Sequence, residues 1–339
     1  MAATRAEHSQ FDLDGKSILV TGGAGSFGRR FVENVLERNK PRRLVVFSRD
    51  EGKHFDMAAE LPPEQFECLR YFIGDIRDVD RLAMAMKDVD IVVHTAALKQ
   101  VPIAEYNPFE CISTNIHGTE NVIRAAMQAG VKKVIGLSTD KAVAPINLYG
   151  ATKLAAEKLL VAANNLAGDD GPRFSVARYG NVIGSRGSVV PFFRKLIAAG
   201  ADHLPITDPR MTRFWITLDD GVDFVLSCLW QMHGGEIFVP KLRTLRVVDL
   251  ARAMAPNLEQ RVVGIRPGEK IHEMLISKDE ARSTIELDDR YLIGPTLALW
   301  KDREPSPIEG RRVTADFNFV SNDESLVMPD KTIRELLGI

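Results

Sequence analysis

Short runs of apolar, often β-branched residues punctuate the first half of the chain. Each gives way to a stretch in which apolar positions return every three or four residues. Ile18–Thr21 leads into Ser26–Arg38, Leu44–Phe47 into Glu51–Glu60, and Tyr71–Ile73 into Asp78–Met86. Ile91–His94 precedes a long amphipathic pattern over Pro108–Ala129, Val134–Leu137 precedes another over Tyr149–Ala167, and Phe174–Ala177 closes the series. Fully apolar strands alternating with amphipathic helices predict a parallel sheet covered on both faces, an α/β fold with a doubly wound, Rossmann-type sheet. Beyond about Tyr179 the rhythm breaks. Gly180–Gly187 is glycine-rich, Pro205–Arg213 is rich in Pro, Asp and Arg, and short strands (Phe214–Ile216, Ile237–Val239) then mix with helices (Asp219–Met232, Val248–Met254). The pattern predicts a sheet domain over residues 1–180. Residues 181–339 then form mainly a smaller α+β cap, discontinuous, with segments that return to the sheet. Lys301–Glu309, with two prolines and several charges, reads as a surface loop.

Composition narrows the class without deciding the function. A chain of 339 residues has room for two domains and needs no disulfide or metal staple to bury a core. Cys68, Cys111 and Cys228 are far apart, with no paired or metal-ligand spacing, so they read as thiols of a reducing cytoplasm. The seven histidines form no metal-ligand group. No apolar run approaches the ~18 residues of a membrane span, and Met1–Lys16 lacks the apolar core of a secretory signal. Lys+Arg 44 against Asp+Glu 46 gives a net charge of −2, which offers no bulk attraction to nucleic acid or to a membrane surface.

The first strand runs straight into Gly22-Gly-Ala-Gly25-Ser26-Phe27-Gly28 and then a helix. Glycines at that junction allow a tight turn and let a pyrophosphate approach the helix N-terminus, which points to a dinucleotide. The second strand ends in Ser48-Arg49-Asp50, with Lys53 close behind. An acid at that corner suits the ribose 2′-hydroxyl of NAD, whereas Ser48 and Arg49 suit the 2′-phosphate of NADP; Asp50 competes, and NADP is the preferred reading. Lys53 reads equally well as a solvated helix start. Asp75 and Ile76, after the third strand, are placed by the adenine, although a plain turn with Asp78 capping the next helix explains Asp75 as well. Thr95, ending the fourth strand, is a further candidate cofactor contact.

Tyr149-Gly-Ala-Thr-Lys153 opens a helix, and a spacing of four places phenol and ammonium on one face. A nearby cation favours phenolate, which makes Tyr149 a candidate base near neutral pH. Ser138 and Thr139 end the strand just before it.

The glycine loop, the Ser138-Thr139 pair and the Tyr149/Lys153 pair together resemble the extended short-chain dehydrogenase/reductase superfamily over nearly the whole chain. Asn115 matches the asparagine that shapes the superfamily's active site, and equally reads as a polar kink in its helix. The run Ser138-Thr139-Asp140-Lys141-Ala142, with Pro145–Lys153, more narrowly resembles the inverting UDP-N-acetylglucosamine 4,6-dehydratases, which supply pseudaminic-acid-type sugars for polysaccharides. Ala97–Pro102, Arg178–Ser188, Met211–Ile216 and Arg266–Lys270 carry the same likeness. The resemblance implies hydride removal from C4 by NADP with Tyr149 taking the hydroxyl proton. A neutral Lys141, its pKa lowered by burial and a neighbouring cation, then takes the C5 proton, and a protonated Asp140 donates to the departing 6-hydroxyl. Lys153 supports Tyr149, and Thr139 completes the catalytic group. Val182 lies near the nicotinamide, while Lys99, Asn181, Val189, Thr207, Arg266 and Glu269 contact the UDP-sugar. Arg210 and Arg213 are further diphosphate candidates or members of a surface turn. Trp215 and Trp230 are expected in the cap core. A homo-oligomer built on the two long helices is also implied. The competing readings are a C5-retaining dehydratase, a 4-epimerase, or an NADP-binding protein without turnover.

Overall fold

The computed structural model describes residues 12–185, 187–295 and 308–339. Residues 1–11, Arg186 and most of the Lys301–Glu309 segment lie outside the described residues. The first half folds as β1 (Ser17–Thr21), α1 (Ser26–Arg38), β2 (Arg43–Ser48), α2 (Glu51–Glu60), β3 (Leu69–Ile73), α3 (Val79–Ala85) and β4 (Ile91–His94). It continues through α4 (Val101–Tyr106), α5 (Pro108–Ile112), α6 (Gly118–Ala129), β5 (Lys133–Thr139), α7 (Leu148–Leu166) and β6 (Arg173–Tyr179). The second half adds β7 (Asn181–Val182), α8 (Val189–Ala198), β8 (His203–Ile206), β9 (Thr212–Ile216), α9 (Leu218–Gln231), β10 (Ile237–Pro240), β11 (Arg243–Arg246) and α10 (Val247–Met254). Then follow β12 (Glu259–Val262), β13 (Met274–Ile276), α11 (Lys278–Ala281), β14 (Thr284–Glu286), β15 (Arg290–Ile293), β16 (Arg311–Arg312), β17 (Phe319–Val320) and α12 (Asp330–Leu337).

The main sheet runs β16-β14-β15-β10-β6-β5-β4-β1-β2-β3. The seven strands from β3 to β10 are parallel, and β15, β14 and β16 extend the edge antiparallel. All five residues of β1 are buried, as a strand with helices on both faces requires. The chain leaves β1 in one direction to β2 and returns on the other side to β4, and this reversal opens a crevice at the carboxyl ends of the strands. A second apolar cluster, including Val190, Phe193, Leu204, Met211, Trp215, Leu250 and Ile333, gathers α8, β8, β9, α10 and α12 apart from the sheet core.

Two expectations change. The Pro108–Ala129 pattern is not one helix: α5 and α6 are joined by a π-helical turn over Ser113–His117. The turn serves Asn115, whose amide donates to the Leu98 carbonyl at 2.9 Å and accepts from the Leu98 N–H at 2.8 Å. Trp215 packs in the cap core, but Trp230 does not; it is 58% exposed on α9, whose Val222, Val225 and Leu229 belong to the main core.

Buried charge ties the halves together. Arg178 of β6 is 1% exposed and clasps Glu157 of α7 at 2.6 and 2.9 Å and Glu280 of α11 at 2.8 and 3.1 Å. Removing one member of so buried a set leaves an uncompensated charge.

Candidate active site

A single cleft of about 1280 Å³ runs from the glycine turn to the cap, along the carboxyl ends of the strands. Its dinucleotide end is built from backbone. Gly22 has φ +65°, and a Cβ there would come within 2.8 Å of Thr95 Oγ1; one on Gly28 would come within 2.5 Å of Gly23 Cα. The N-terminus of α1 is capped by no side chain, so its amides face the cleft free for an anion. This close-packed cradle fits a pyrophosphate. Below it lies a buried chain of hydrogen bonds. His94 joins Thr21 Oγ1 at 2.8 Å to Thr119 Oγ1 at 3.1 Å, and burial pushes its imidazole down to about 3.

Gly22, Gly25, Ser26, Phe27, Gly28, Ser48, Arg49, Asp50, Lys53, Asp75, Ile76 and Thr95 all line this end. Their charges are mutually paired; Arg49 is exposed and Asp50, Lys53 and Asp75 are half-buried. Asp50 caps α2 through the Lys53 N–H and pairs with Lys53 Nζ at 2.6 Å. Arg49 Nη1 lies 3.6 Å from Asp75, which also binds Arg77 at 2.7 Å. Although burial works the other way, the Arg77 hydrogen bonds and the Arg49 charge hold Asp75 below its ordinary carboxylate range. Asp78 caps α3 through the Arg81 N–H.

The other end is built from buried side chains. Strand β5 delivers Ser138 and Thr139, and a short turn over Asp140–Ala142 then packs on the start of α7. That packing requires glycine after Tyr149, because a Cβ on Gly150 would come within 2.2 Å of the Lys141 carbonyl oxygen. Asn147 caps α7 through the Gly150 N–H at 2.7 Å and donates to the Gly268 carbonyl at 2.8 Å, which fastens the cap loop to the same turn. Lys270 Nζ repeats the fastening on the Val143 carbonyl at 2.7 Å.

Thr139, Lys141, Tyr149, Lys153, Val182, Lys99, Asn181, Val189, Thr207, Arg266 and Glu269 line this half of the cleft. Asp140 does not reach the wall; it is fully buried beneath it, where Oδ1 accepts from Thr139 Oγ1 at 3.0 Å and Lys141 Nζ at 2.9 Å. Arg213 is buried by its bonds to the Thr212, Lys270 and Ile271 carbonyls and still lines the cleft. Arg210 is an exposed partner of Asp208 at 2.7 Å. No group of residues with metal-ligand chemistry occurs among the described residues.

The electrostatics correct two expectations. Lys141 is not made neutral: burial lowers its pKa, but Asp140 and Glu273 outweigh burial, and the amine is raised above its ordinary value. Tyr149 is pushed up to about 12 by burial, and the cation that opposes this is Lys141 rather than Lys153. Lys153 instead donates to the Leu137 carbonyl at 2.6 Å, and burial draws it down to about 8. Burial, with Lys141 as a neighbouring cation, lowers Lys99 as well.

Glu273 had no sequence signal. It lies just before β13, 2% exposed, with Oε1 3.4 Å from Lys141 Nζ, and it lines the cleft. Long-range packing alone brings it there. Chemically, this end brings a phenol, an ammonium and two carboxyls together on and beneath one wall of the cleft.

The family described as "Polysaccharide biosynthesis protein" matches residues 18–295. Two Campylobacter jejuni proteins, each named UDP-N-acetylglucosamine 4,6-dehydratase (inverting), are similar throughout. That of strain 81-176 is 53% identical over 331 residues, 96% of this chain and 98% of the relative. That of strain NCTC 11168 is 55% identical over 328 residues, 95% of this chain and 97% of the relative. Among solved structures, Pen from Bacillus thuringiensis superposes with a TM-score of 0.88 at 36% identity, covering 96% of this chain and 97% of that one. DesIV, a dTDP-glucose 4,6-dehydratase from Streptomyces venezuelae with NAD and TYD bound, shares the fold with a TM-score of 0.68 at 24% identity, covering 75% of this chain and 86% of that one.

Proposed function

The chain belongs to the polysaccharide biosynthesis protein family and is an enzyme, and from that premise we propose that it removes water from UDP-N-acetylglucosamine across C5 and C6, using NADP and inverting C5. The product is a UDP-2-acetamido-2,6-dideoxy-L-arabino-hexos-4-ulose. The observation that carries the reading is the joint presence of Thr139, Asp140, Lys141 and Tyr149 on and beneath one wall of a cleft whose far end fits a dinucleotide. A 4-epimerase needs a base for the 4-hydroxyl and has no use for an amine and acid pair at C5.

A bound nicotinamide would accept hydride from C4 and return it to C6, leaving no net redox change. The glycine turn from Gly22 to Gly28 would hold the pyrophosphate, Asp75, Ile76 and Thr95 the adenosine half, and Val182, Tyr149 and Lys153 the nicotinamide half. Ser48 and Arg49 favour the 2′-phosphate of NADP, with Lys53 beside them and Asp50 occupied as a helix cap. Tyr149, as the phenolate that Lys141 and the positive charge of an oxidised nicotinamide would favour, takes the proton of the 4-hydroxyl, and the ketone formed there acidifies the C5 hydrogen. Lys141 must first lose its own proton, and Asp140 Oδ1, 2.9 Å away, is the acceptor at hand. That one transfer makes Lys141 an amine and Asp140 an acid, the two forms the elimination requires. The amine takes the C5 proton, the electron pair of that C–H bond becomes the C5–C6 double bond, and the C6–O bond breaks. Asp140 supplies the proton of the departing water through the Thr139 hydroxyl, which it binds and which lines the cleft. A water delivers a proton to the opposite face of C5, inverting it, and takes in its place the proton held by Tyr149. Lys99, Asn181, Val189, Thr207, Arg266 and Glu269 surround the UDP-sugar.

Incubation with UDP-N-acetylglucosamine and NADP should give a product lighter by one water, with no accumulation of NADPH and with C5 inverted by proton NMR. A product that keeps its 6-hydroxyl overturns the reading. In this reading residues 1–180 form the NADP-binding domain, 181–339 are mainly the substrate cap, and the enzyme works in the cytoplasm. No helix among the described residues is long and apolar enough to cross a membrane. A homo-oligomer is favoured by Tyr106, Phe109 and Leu166, exposed apolar side chains on α4, α5 and α7, and light scattering on the purified protein tests it.

A further inference from the structure

Lys141 is held from three parts of the chain, two of them acidic; the third is the neutral Asn181, whose Oδ1 accepts from Nζ at 3.3 Å. Asp140 meets Nζ at 2.9 Å from its own turn, and Glu273 meets it at 3.4 Å from the segment that leads back from the cap loop into β13. Glu273 is fixed by its backbone: its N–H donates to Ser321 Oγ and its carbonyl accepts from the Ser321 N–H, each at 2.8 Å. Ser321 Oγ is anchored in turn at 2.7 Å from Thr212 Oγ1. Burying a carboxylate is costly unless its oxygens are matched, yet Oε2 of Glu273 has no hydrogen-bond partner. An uncharged side chain of this size would avoid that cost. The fold therefore keeps a buried acid on the cleft wall, and the nearest cleft-lining group it acts on is the Lys141 amine.

Arg213 from β9 lies 3.8 Å from Glu273, and Lys270 from the cap loop lies 4.0 Å away. Lys141 also feels Asp140 and Arg213, while Lys99 and Tyr149 feel Lys141. We propose that Glu273 is a positioning residue for the elimination, a carboxylate that holds the Lys141 amine against the cleft and sets the protonation state in which it meets the sugar. Asp140 receives the proton that Lys141 gives up; Glu273 decides how readily it is given up. Burial raises the Glu273 carboxyl while Lys141 acts to lower it, the direction expected of two groups that share charge at short range.

The proposal rests on the role given to Lys141 above, so its test carries one readout that needs no turnover. Cyanate is small, reacts with the neutral amine, and can reach Lys141, whose side chain is 23% exposed on the cleft. Carbamylation at pH 9, read residue by residue by mass spectrometry, should be about tenfold faster at Lys141 in Glu273→Gln than in the unaltered protein, because one opposing charge at this distance is worth about one pKa unit or more. Glu273→Asp, which draws the charge back by one methylene, should fall between, and exposed Lys158 should react alike in all three. Equal labelling of Lys141 in all three proteins overturns the proposal. NADP binding by fluorescence shows that each variant is folded, and Glu273→Asp alone decides the matter if Glu273→Gln does not fold. In turnover, exchange of the C5 hydrogen with deuterated water should follow a pH profile displaced about one pH unit downward in Glu273→Gln, with C4 oxidation at an unmoved pH. A uniform loss at every pH marks a merely structural role and overturns the proposal. Absence of water loss and of C5 exchange in the unaltered enzyme refutes the proposed function instead, while the labelling still judges Glu273.

Discussion

The two ends of the cleft use charge in opposite ways. At the glycine-turn end the charged groups are exposed or half-buried and paired with one another, as in Lys53 with Asp50 and Arg49 with Asp75, while the cradle itself is backbone and glycine. At the other end the carboxylates are buried and converge on one cation: Asp140 and Glu273 on Lys141, with Arg178, Glu157 and Glu280 forming a second buried set. Exposed and half-exposed pairs are screened by water and contribute little to stability, so substitutions at that end cost little. Buried groups act strongly on one another and tolerate almost no loss.

The sharpest way to test this contrast is at the reacting atoms. Tyr149→Phe should lower kcat by about 10²–10⁴-fold, the usual worth of a positioned base, while NADP still binds. Lys141→Ala should keep C4 oxidation yet lose water elimination, and stopped-flow absorbance of the reduced cofactor separates the two steps. Next in size is the second buried set. Arg178→Met strands two carboxylates and should cost about 3–5 kcal/mol in urea unfolding, whereas Arg38→Met, which breaks the exposed pair with Asp223, should cost no more than about 1 kcal/mol. Equal costs would dissolve the distinction.

His94 refines the comparison, being a buried titratable group beneath the glycine turn. Its folded pKa lies near 3, well below the unfolded value of 6.5, so the unfolded chain binds a proton that the folded chain refuses. Stability from His94 is therefore full above about pH 6.5 and is lost as the pH falls toward 3, with a slope of up to about 1.4 kcal/mol per pH unit. His94→Gln should flatten that part of the acid-unfolding curve. The smallest effect belongs to the surface: Arg49→Ala should reduce the proposed preference for NADP over NAD by about tenfold, the worth of one charge-assisted hydrogen bond, with little change in stability.

Much of this architecture can be read along the chain. Helix α1 and helix α2 begin and end where the apolar period and the flanking turns place them. The glycine turn, the end of β5 and the Tyr149–Lys153 helix face are local features. A strand needs only its own run of apolar residues, a cap its own polar side chain, and a tight turn its own glycines. Position on the cleft wall follows for nearly all of the residues so identified.

Charge state is another matter. Asp140 and Lys141 are adjacent in sequence, but whether the lysine is neutral depends on Glu273, which arrives from the far end of the chain, and on the depth to which Asp140 sinks below the wall. Lys153 looks like the partner of Tyr149 by spacing, yet its Nζ turns to the Leu137 carbonyl. The π-helical turn that aims Asn115 at Leu98 sits inside a pattern that reads as continuous helix. The sequence by itself determined the alternation of strands and helices in the first half, the glycine turn and the types of side chain on the cleft, because these rest on contacts between near neighbours. The tertiary structure decided which charges are buried together, because Coulomb interactions and desolvation depend on distance through space, not along the chain.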